Sequence, residues 1–218
     1  MRPARDPAVD YRALVRDGYD RCAAAYSLAR MDEPEPVLDL LTERLGAGAR
    51  VLDTGCGAGV PVSRALAAQG FTVTGIDFSA AMIDLARRNV PQATFLCQDV
   101  LDVKFDPGEF DAVVAFYAIF HIPKEQQPEL FRRIHHWLKP NGYLLATLTH
   151  SNEAGYTEDG FFGETMYWSN FSLTEYEDLL RDAGFSVLAS ARLGHGYGDE
   201  EAWREESHPL LFAQKRQS

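Results

Sequence analysis

The first candidate ligand-binding segment is VLDTGCGAGVP, residues 51–61. In it, a short apolar run is followed by Asp53 and then by three glycines at alternating positions. Because glycine has no side chain, a loop of Gly55, Gly57 and Gly59 lets the backbone approach a ligand closely. The spacing is G-x-G-x-G, not the G-x-G-x-x-G of dinucleotide-binding folds, because position 60 is valine. No Gly-Lys-Ser/Thr follows, which excludes a P-loop. An anionic Asp53 would repel a pyrophosphate and would suit a ligand with an ammonium or sulfonium charge.

The elements that must position this loop follow from the pattern of apolar residues. From residue 49 onward, apolar runs alternate with helical patterns, which is typical of a parallel sheet with crossover helices. The predicted strands are 49–54, 71–77, 93–98, 110–117, 142–149, 185–193 and 208–215, and the predicted helices lie near 60–69, 79–89, 124–138 and 173–183. The last two strands have no obvious helix between them, so we expect a hairpin and an antiparallel last strand. Two helical patterns predict a lid over residues 1–45, beside one domain over residues 46–218.

The composition argues against several classes of partner. The 218 residues carry a net charge of −11 with scattered basic residues, which disfavours nucleic acid and anionic membranes. The three cysteines are widely spaced, so neither a disulfide framework nor a zinc site is indicated, and we predict no metal. No apolar run could span a membrane, and the N-terminus lacks the apolar segment of a secretory signal. We therefore expect a cytoplasmic monomer or homodimer that binds a neutral or cationic small molecule.

Five segments carry a resemblance to a known family. In chain order, VLDTGCGAG, VTGIDFS, FLCQDV, FDAVVAFYAIFHIP and LKPNGYLLAT resemble the motifs of class I S-adenosylmethionine-dependent methyltransferases, in their small-molecule branch. The resemblance covers about residues 15–215. It implies an α/β, Rossmann-like, seven-stranded and mostly parallel sheet of order 3-2-1-4-5-7-6, with helices on both faces. It also implies S-adenosylmethionine as methyl donor, S-adenosylhomocysteine as product and a small-molecule acceptor.

The resemblance assigns cofactor contacts to residues at the ends of the first three strands. The glycine loop and Asp53 would meet the amino-acid end, and a tyrosine of the lid, Tyr19 or Tyr26, would approach the cofactor carboxylate. Asp77 would hold both ribose hydroxyls, a suitable role because a carboxylate accepts two hydrogen bonds from a vicinal diol. The remaining contacts would involve adenine, with Phe78 and Met82 against the ring, Asp99 accepting from its amino group, and the Val100 backbone.

The reacting methyl group should lie where the strand order reverses, because ligands of open α/β sheets bind outside the carboxyl ends of strands at that point. In this family that point lies between the first and fourth strands, so Phe116 should contact the cofactor and Tyr117 the acceptor. His121 is the first candidate for a general base, because histidine titrates near neutral pH. The alternative is that His121 only orders the loop. His150, at the end of the fifth strand, is the second candidate, whereas His208 is predicted to lie away from the crevice.

The acceptor pocket is predicted from residues 150–172, which are rich in glycine and aromatic residues and too irregular to be core. Long loops of this composition are usually functional. We expect this segment to form one wall of the pocket and the N-terminal helices to form the opposing lid. The candidate lining residues are Tyr156, Phe161, Phe162, Tyr167 and Trp168, although some of them could instead form a small core beneath the loop. Such a wall suggests a planar, apolar acceptor and does not separate N-, O- and C-methylation.

Two other functions stay open at this point. A protein with these motifs could use S-adenosylmethionine structurally or in a non-methyl reaction such as a cyclisation, because fold and cofactor do not fix chemistry. A nicotinamide-dependent dehydrogenase is disfavoured by Val60 and by the two-strand ending.

Overall fold

The computed structural model describes residues 9–31, 38–148, 152–194 and 207–216. The helices are α1 Tyr11–Arg30, α2 Asp39–Thr42, α3 Val62–Ala68, α4 Ala80–Asn89, α5 Gln127–Trp137 and α6 Leu173–Asp182, with a short 3-10 helix at Ile119–His121. The strands are β1 Arg50–Thr54, β2 Thr72–Asp77, β3 Thr94–Cys97, β4 Phe110–Ala115, β5 Leu138–Thr147, β6 Glu153–Phe161, β7 Glu164–Asn170, β8 Phe185–Gly194 and β9 Ser207–Lys215.

Seven of these strands form one sheet in the order β3-β2-β1-β4-β5-β9-β8. Strands β1 to β5 are parallel, and β9 runs antiparallel to both β5 and β8. This confirms the predicted Rossmann-like order and the antiparallel last strand, once the hairpin of β6 and β7 is counted as a separate sheet. The strand order reverses between β1 and β4, so a crevice is expected beyond the carboxyl ends of these two strands.

The sheet is covered by helices on both faces. Successive residues of a strand point to opposite faces, and Val51 and Leu52 of β1 accordingly belong to two different apolar clusters. The cluster around Leu52 includes side chains of α5 and α6, and the cluster around Val51 includes side chains of α2 and α3. Because both faces are buried, β1 and β4 are nearly continuous apolar runs, which is why the sequence revealed them.

The N-terminal region contains one long helix and one very short one. Helix α1 begins after Asp10, whose side chain accepts a hydrogen bond from the backbone N–H of Ala13 at 3.1 Å. The second predicted helix is only the four residues of α2, and residues 32–37 lie outside the described ranges. Within the described ranges, no helix is both long and apolar enough to cross a membrane.

The segment 150–172, predicted to be a loop too irregular to be core, instead contains a β-hairpin over residues 153–170. Strand β6 pairs with β7 in antiparallel register, and Phe161 lies opposite Glu164 across a two-residue turn at 162–163. The loop prediction was wrong because the segment lacks the regular alternation of apolar and polar residues that identifies a strand. Two register shifts interrupt that alternation, as do three glycines with positive φ, at 155, 160 and 163. Residue His150, the second candidate base, lies outside the described ranges.

Candidate active site

A cleft opens beyond the carboxyl ends of β1, β2 and β4, and it measures about 840 Å³ when counted out to its open side. Helix α1 lies across it. Many residues predicted from the sequence line this cleft together, namely Tyr19, Tyr26, Gly55, Gly57, Asp77, Phe78, Met82, Asp99, Val100, Phe116, Tyr117 and His121. Its size and mixed lining are typical of small-molecule sites.

The glycine loop forms the floor of the cleft through two of its three glycines. Gly55 has a φ of +67°, and a Cβ there would lie 2.4 Å from the Cβ of Ala118, so the loop packs closely against the residues that follow β4. A Cβ on Gly57 would meet nothing within 4 Å, so its backbone faces the open cleft. Gly59 lies behind the loop instead, where a Cβ would meet Phe95 at 3.2 Å. The first two glycines therefore border the cleft and the third permits packing.

Asp77 at the end of β2 joins the glycine loop to helix α4. One carboxylate oxygen accepts the backbone N–H of Gly57 at 3.0 Å, and the other accepts that of Ser79 at 2.9 Å. Removal of the carboxylate from bulk water raises the pKa of Asp77 to about 6, because these hydrogen bonds only partly offset the loss of solvation. The group is therefore poised to accept further hydrogen bonds from a ligand in the cleft.

A smaller cavity beside the cleft contains Asp53 and Arg30. Asp53 is buried and accepts a hydrogen bond from the hydroxyl of Ser63 at 2.5 Å, and burial raises the pKa of this carboxyl to about 7. The buried guanidinium of Arg30 lies 5.5 Å from the ring centroid of Tyr26 and 5.0 Å from that of Tyr117. A carboxylate and a guanidinium in one small cavity suit the ammonium and carboxylate of an amino acid.

The opposite end of the cleft has apolar walls and a carboxylate at its rim. The apolar lining residues there are Phe78, Val100, Leu101, Ile119, Ile122 and Leu130. Asp99 accepts the backbone N–H of Leu101 at 2.8 Å and is bound by Arg12 of α1, whose Nε lies 2.8 Å from Oδ2. Such a slot can hold a planar base with its polar edge toward Asp99.

His121 is held between the lid and the hairpin. Its Nδ1 lies 2.8 Å from the carbonyl oxygen of Tyr167, which can only accept, so Nδ1 carries the proton. In the neutral ring Nε2 then accepts the hydroxyl of Tyr19, 2.9 Å away. Burial lowers the pKa of His121 to about 4, so the near-neutral titration expected from the sequence is wrong. The ring is neutral at pH 7, with its Nε2 lone pair directed at Tyr19.

The hairpin aromatics form two groups. The ring centroids of Phe161 and Phe162 lie 5.7 Å and 5.4 Å from that of Tyr26, and the Trp168 centroid lies 4.5 Å from that of His121. These three residues cover the inner side of the lid. Tyr167 is buried against α1, with its ring 4.1 Å from that of Tyr11, and Tyr156 is also buried. None of the five is among the residues that line the cleft.

Two arginines of α1, Arg12 and Arg30, were not predicted for this site. The spacing did contain a signal for the arginines, because Arg12, Tyr19 and Tyr26 are seven residues apart and Arg30 follows by four, which places all four on one helix face. His208, predicted to lie away from the crevice, does not line the cleft, although its ring centroid is 5.2 Å from that of the lining residue Tyr117. Antiparallel pairing with β5 brings the beginning of β9 to the cleft edge of the sheet.

Comparisons with known proteins agree with this geometry. Residues 51–142 match a family model described as a methyltransferase domain. The chain is 33% identical over 150 residues to an uncharacterized methyltransferase of Synechocystis, covering 66% of this chain and 70% of that protein. Other curated relatives are longer, and the chain spans 58% of the length of some of them.

Solved structures show the same fold. The 1,6-didemethyltoxoflavin-N1-methyltransferase of Burkholderia thailandensis, solved with S-adenosylhomocysteine, matches with a TM-score of 0.75 and 23% identity, over 99% of this chain and 94% of that one. The cyclase SpnF matches with a TM-score of 0.73 and 20% identity, over 99% of this chain and 100% of that one.

Proposed function

Because the chain belongs to the class I S-adenosylmethionine-dependent methyltransferases, whose cofactor is S-adenosylmethionine, we propose that it methylates a small, planar and largely apolar acceptor. The observation that carries the proposal is the shared cleft, in which the ribose-binding candidate Asp77 and the proton-accepting candidate His121 both face one space at the strand reversal. The nitrogen, oxygen or carbon nature of the methylated atom is left to experiment.

The residues present fit the cofactor along the whole cleft. The backbone of Gly57 and the charges of Asp53 and Arg30 suit its amino-acid end, Asp77 suits its ribose, and the apolar slot beside Asp99 suits its base. When bound, S-adenosylmethionine supplies an electrophilic methyl group on a positively charged sulfur. Carboxylates close to such a charge favour binding, and a fixed orientation of the two reactants contributes on the order of 7–11 kcal/mol to the lowering of the barrier.

The protein's own groups can move a proton where the acceptor carries one. His121 is oriented by the carbonyl of Tyr167 and offers Nε2, to which the Tyr19 hydroxyl donates a hydrogen bond in this structure. An acceptor hydroxyl or amine that takes the place of the Tyr19 hydroxyl would lie within hydrogen-bond distance of that lone pair. We therefore assign His121 as the base and Tyr19 as the residue that occupies it when no acceptor is bound.

The aromatic layer supports the proposed acceptor class. Phe161, Phe162 and Trp168 pack behind Tyr19, Tyr26 and His121 of the cleft, so an acceptor that takes the place of the Tyr19 hydroxyl would reach this aromatic layer. Trp168 also has an indole N–H that is buried and has no hydrogen-bond partner within the described residues. A planar acceptor with an oxygen or a ring nitrogen would satisfy that donor.

The test is a mass-spectrometric screen of planar metabolites for the gain of one methylene, with S-adenosylhomocysteine measured in parallel. Both should appear together and only when the acceptor is present. His121→Ala should lower turnover by at least about tenfold, less than the usual 10²–10⁴-fold of a general base because burial lowers the pKa of His121 to about 4. Turnover of His121→Ala within about threefold of the wild type at every pH would remove the base assignment. A product without S-adenosylhomocysteine would favour the non-methyl alternative, such as a cyclisation.

A further inference from the structure

One arginine in the first turn of helix α1 binds two carboxylates at the rim of the cleft. Arg12 places Nε 2.8 Å and Nη2 2.5 Å from Oδ2 of Asp99, and the same Nη2 lies 2.6 Å from Oδ2 of Asp102. The Asp99 side chain is 17% exposed, whereas that of Asp102 is 71% exposed. Asp99 lines the cleft and Asp102 does not. The arginine therefore joins the lid to a carboxylate of the cofactor site.

The hydrogen bonds to Asp99 leave little capacity for a ligand. A carboxylate offers about four acceptor positions. Within the described residues, Arg12 fills two of them on Oδ2, and the backbone N–H of Leu101 fills one on Oδ1 at 2.8 Å. One acceptor position is left, on Oδ1, beside the apolar slot that suits a planar base.

We propose that Arg12 is a positioning residue that orients Asp99, so that its last acceptor position receives the exocyclic amino group of the cofactor's base. The proposal rests on the proposed function and extends it to a residue of the lid, outside the strand ends. A base with an amino group satisfies Oδ1, whereas a base with a carbonyl oxygen at that position would place two acceptors against each other. Arg12 is then a determinant of selectivity for adenine over hypoxanthine.

The lid does not depend on Arg12 for its attachment, so a variant at this position can be expected to fold. Asp20 of α1 accepts the hydroxyl of Ser79 at 2.6 Å and the backbone N–H of Ala81 at 3.0 Å. The close approach of Gly18 to Met166 joins the same helix to the hairpin. Loss of Arg12 should therefore disturb the orientation of Asp99 while helix α1 stays attached through its other contacts.

The experiment measures the binding of S-adenosylhomocysteine and of its hypoxanthine counterpart, S-inosylhomocysteine, by calorimetry. Arg12→Gln should lower the affinity for S-adenosylhomocysteine about tenfold and leave the affinity for S-inosylhomocysteine nearly unchanged. The selectivity for adenine over hypoxanthine should therefore fall about tenfold. Asp102→Asn should also lower the selectivity for adenine, but by less, because Asp102 binds Arg12 and does not itself line the cleft. The matched control is Arg16→Gln, one turn along α1, whose guanidinium pairs with the exposed Asp17. It should bind both ligands as the wild type does.

Unchanged selectivity in Arg12→Gln would overturn the proposal and make Arg12 a surface ion pair only. If that variant fails to fold, the salt dependence of the wild type decides. Because the Arg12 pair is partly exposed, selectivity should fall as salt screens it, and selectivity that does not change with salt would overturn the proposal. Failure of the wild type to bind S-adenosylhomocysteine would instead refute the proposed function.

Discussion

The affinity of the cleft for a nucleoside should depend on pH through one carboxyl group, Asp77. Its pKa is raised to about 6, first by removal from solvent and in small part by the nearby charge of Asp20. Only the ionised carboxylate can accept hydrogen bonds from both hydroxyls of a ribose. We therefore expect nucleoside affinity to be constant above pH 7 and to fall as the pH drops through about 6.

The size of the effect follows from that pKa. At pH 5 about one molecule in eleven has Asp77 ionised, so the apparent Kd should be about tenfold higher than at pH 8. The stability of the ligand-free protein changes in the opposite sense. A carboxyl group whose pKa is raised from 3.8 to about 6 by folding binds more protons in the folded state, so its contribution to stability declines as pH rises through this window.

Adenosine is the proper ligand for this assay. The complete cofactor would also contact Asp53, whose pKa of about 7 would add a second pH-dependent step. Titration of adenosine by calorimetry or by ligand-detected NMR between pH 5 and pH 8 should therefore report Asp77 alone. Asp77→Asn should remove the step and weaken binding at pH 8, whereas Asp53→Asn should preserve it. A flat wild-type profile, or a step that persists in Asp77→Asn, would refute the assignment of Asp77 to the ribose.

Two further predictions concern stability. At Gly55 the backbone φ is +67°, and the added Cβ of Gly55→Ala would lie 2.4 Å from the Cβ of Ala118. We therefore expect Gly55→Ala to lose about 1–3 kcal/mol of unfolding free energy and to lose cofactor binding. The control Gly70→Ala also has a positive φ but has open space around its Cβ, so it should retain cofactor binding. Equal binding by both variants would contradict this. Gln127→Leu should cost about 3 kcal/mol in chemical denaturation, because it leaves two carbonyls and the Tyr176 hydroxyl without their partner. A loss no greater than that of Tyr176→Phe would contradict the predicted network.

The centre of the sheet was predictable because β1 and β4 are buried on both faces and are therefore nearly continuous apolar runs. The hairpin was not, because positive-φ glycines at 155 and 160 and the register shifts around them break the alternation on which strand prediction depends. The aromatic residues of that segment were predicted to line the acceptor pocket, but their packing against α1 and against one another could not be predicted from composition. Only contact with α1, as at Tyr167 against Tyr11, decides which of them are buried.

The site was predictable where residues lie at strand ends and unpredictable where the lid contributes. Asp77 and the glycine loop occupy positions that parallel strands fix in relation to one another, so the sequence places them in one cleft. Arg12 and Arg30 reach the cleft only through the docking of α1, which depends on tertiary contacts. The environment of His121 was missed for the same reason, since its pKa is lowered by burial beneath residues of the hairpin and the lid.

Among the described residues, four acids have a clearly shifted pKa, two lowered and two raised, and the difference supports a ligand role for Asp53 and Asp77. Glu175 is satisfied by the hydroxyl and backbone N–H of Ser172, and these hydrogen bonds lower its pKa. For Asp111, partial burial acts to raise the pKa, but the hydrogen bonds and positive charges of Lys139 and Arg50 together outweigh it and the pKa is lowered. Asp53 and Asp77 have the opposite shift, because the folded protein takes both from solvent without supplying enough donors. A buried carboxyl group without enough hydrogen-bond donors is of no use for capping a turn. A ligand with hydroxyl groups and a positive charge would supply the missing hydrogen bonds and a counter-charge.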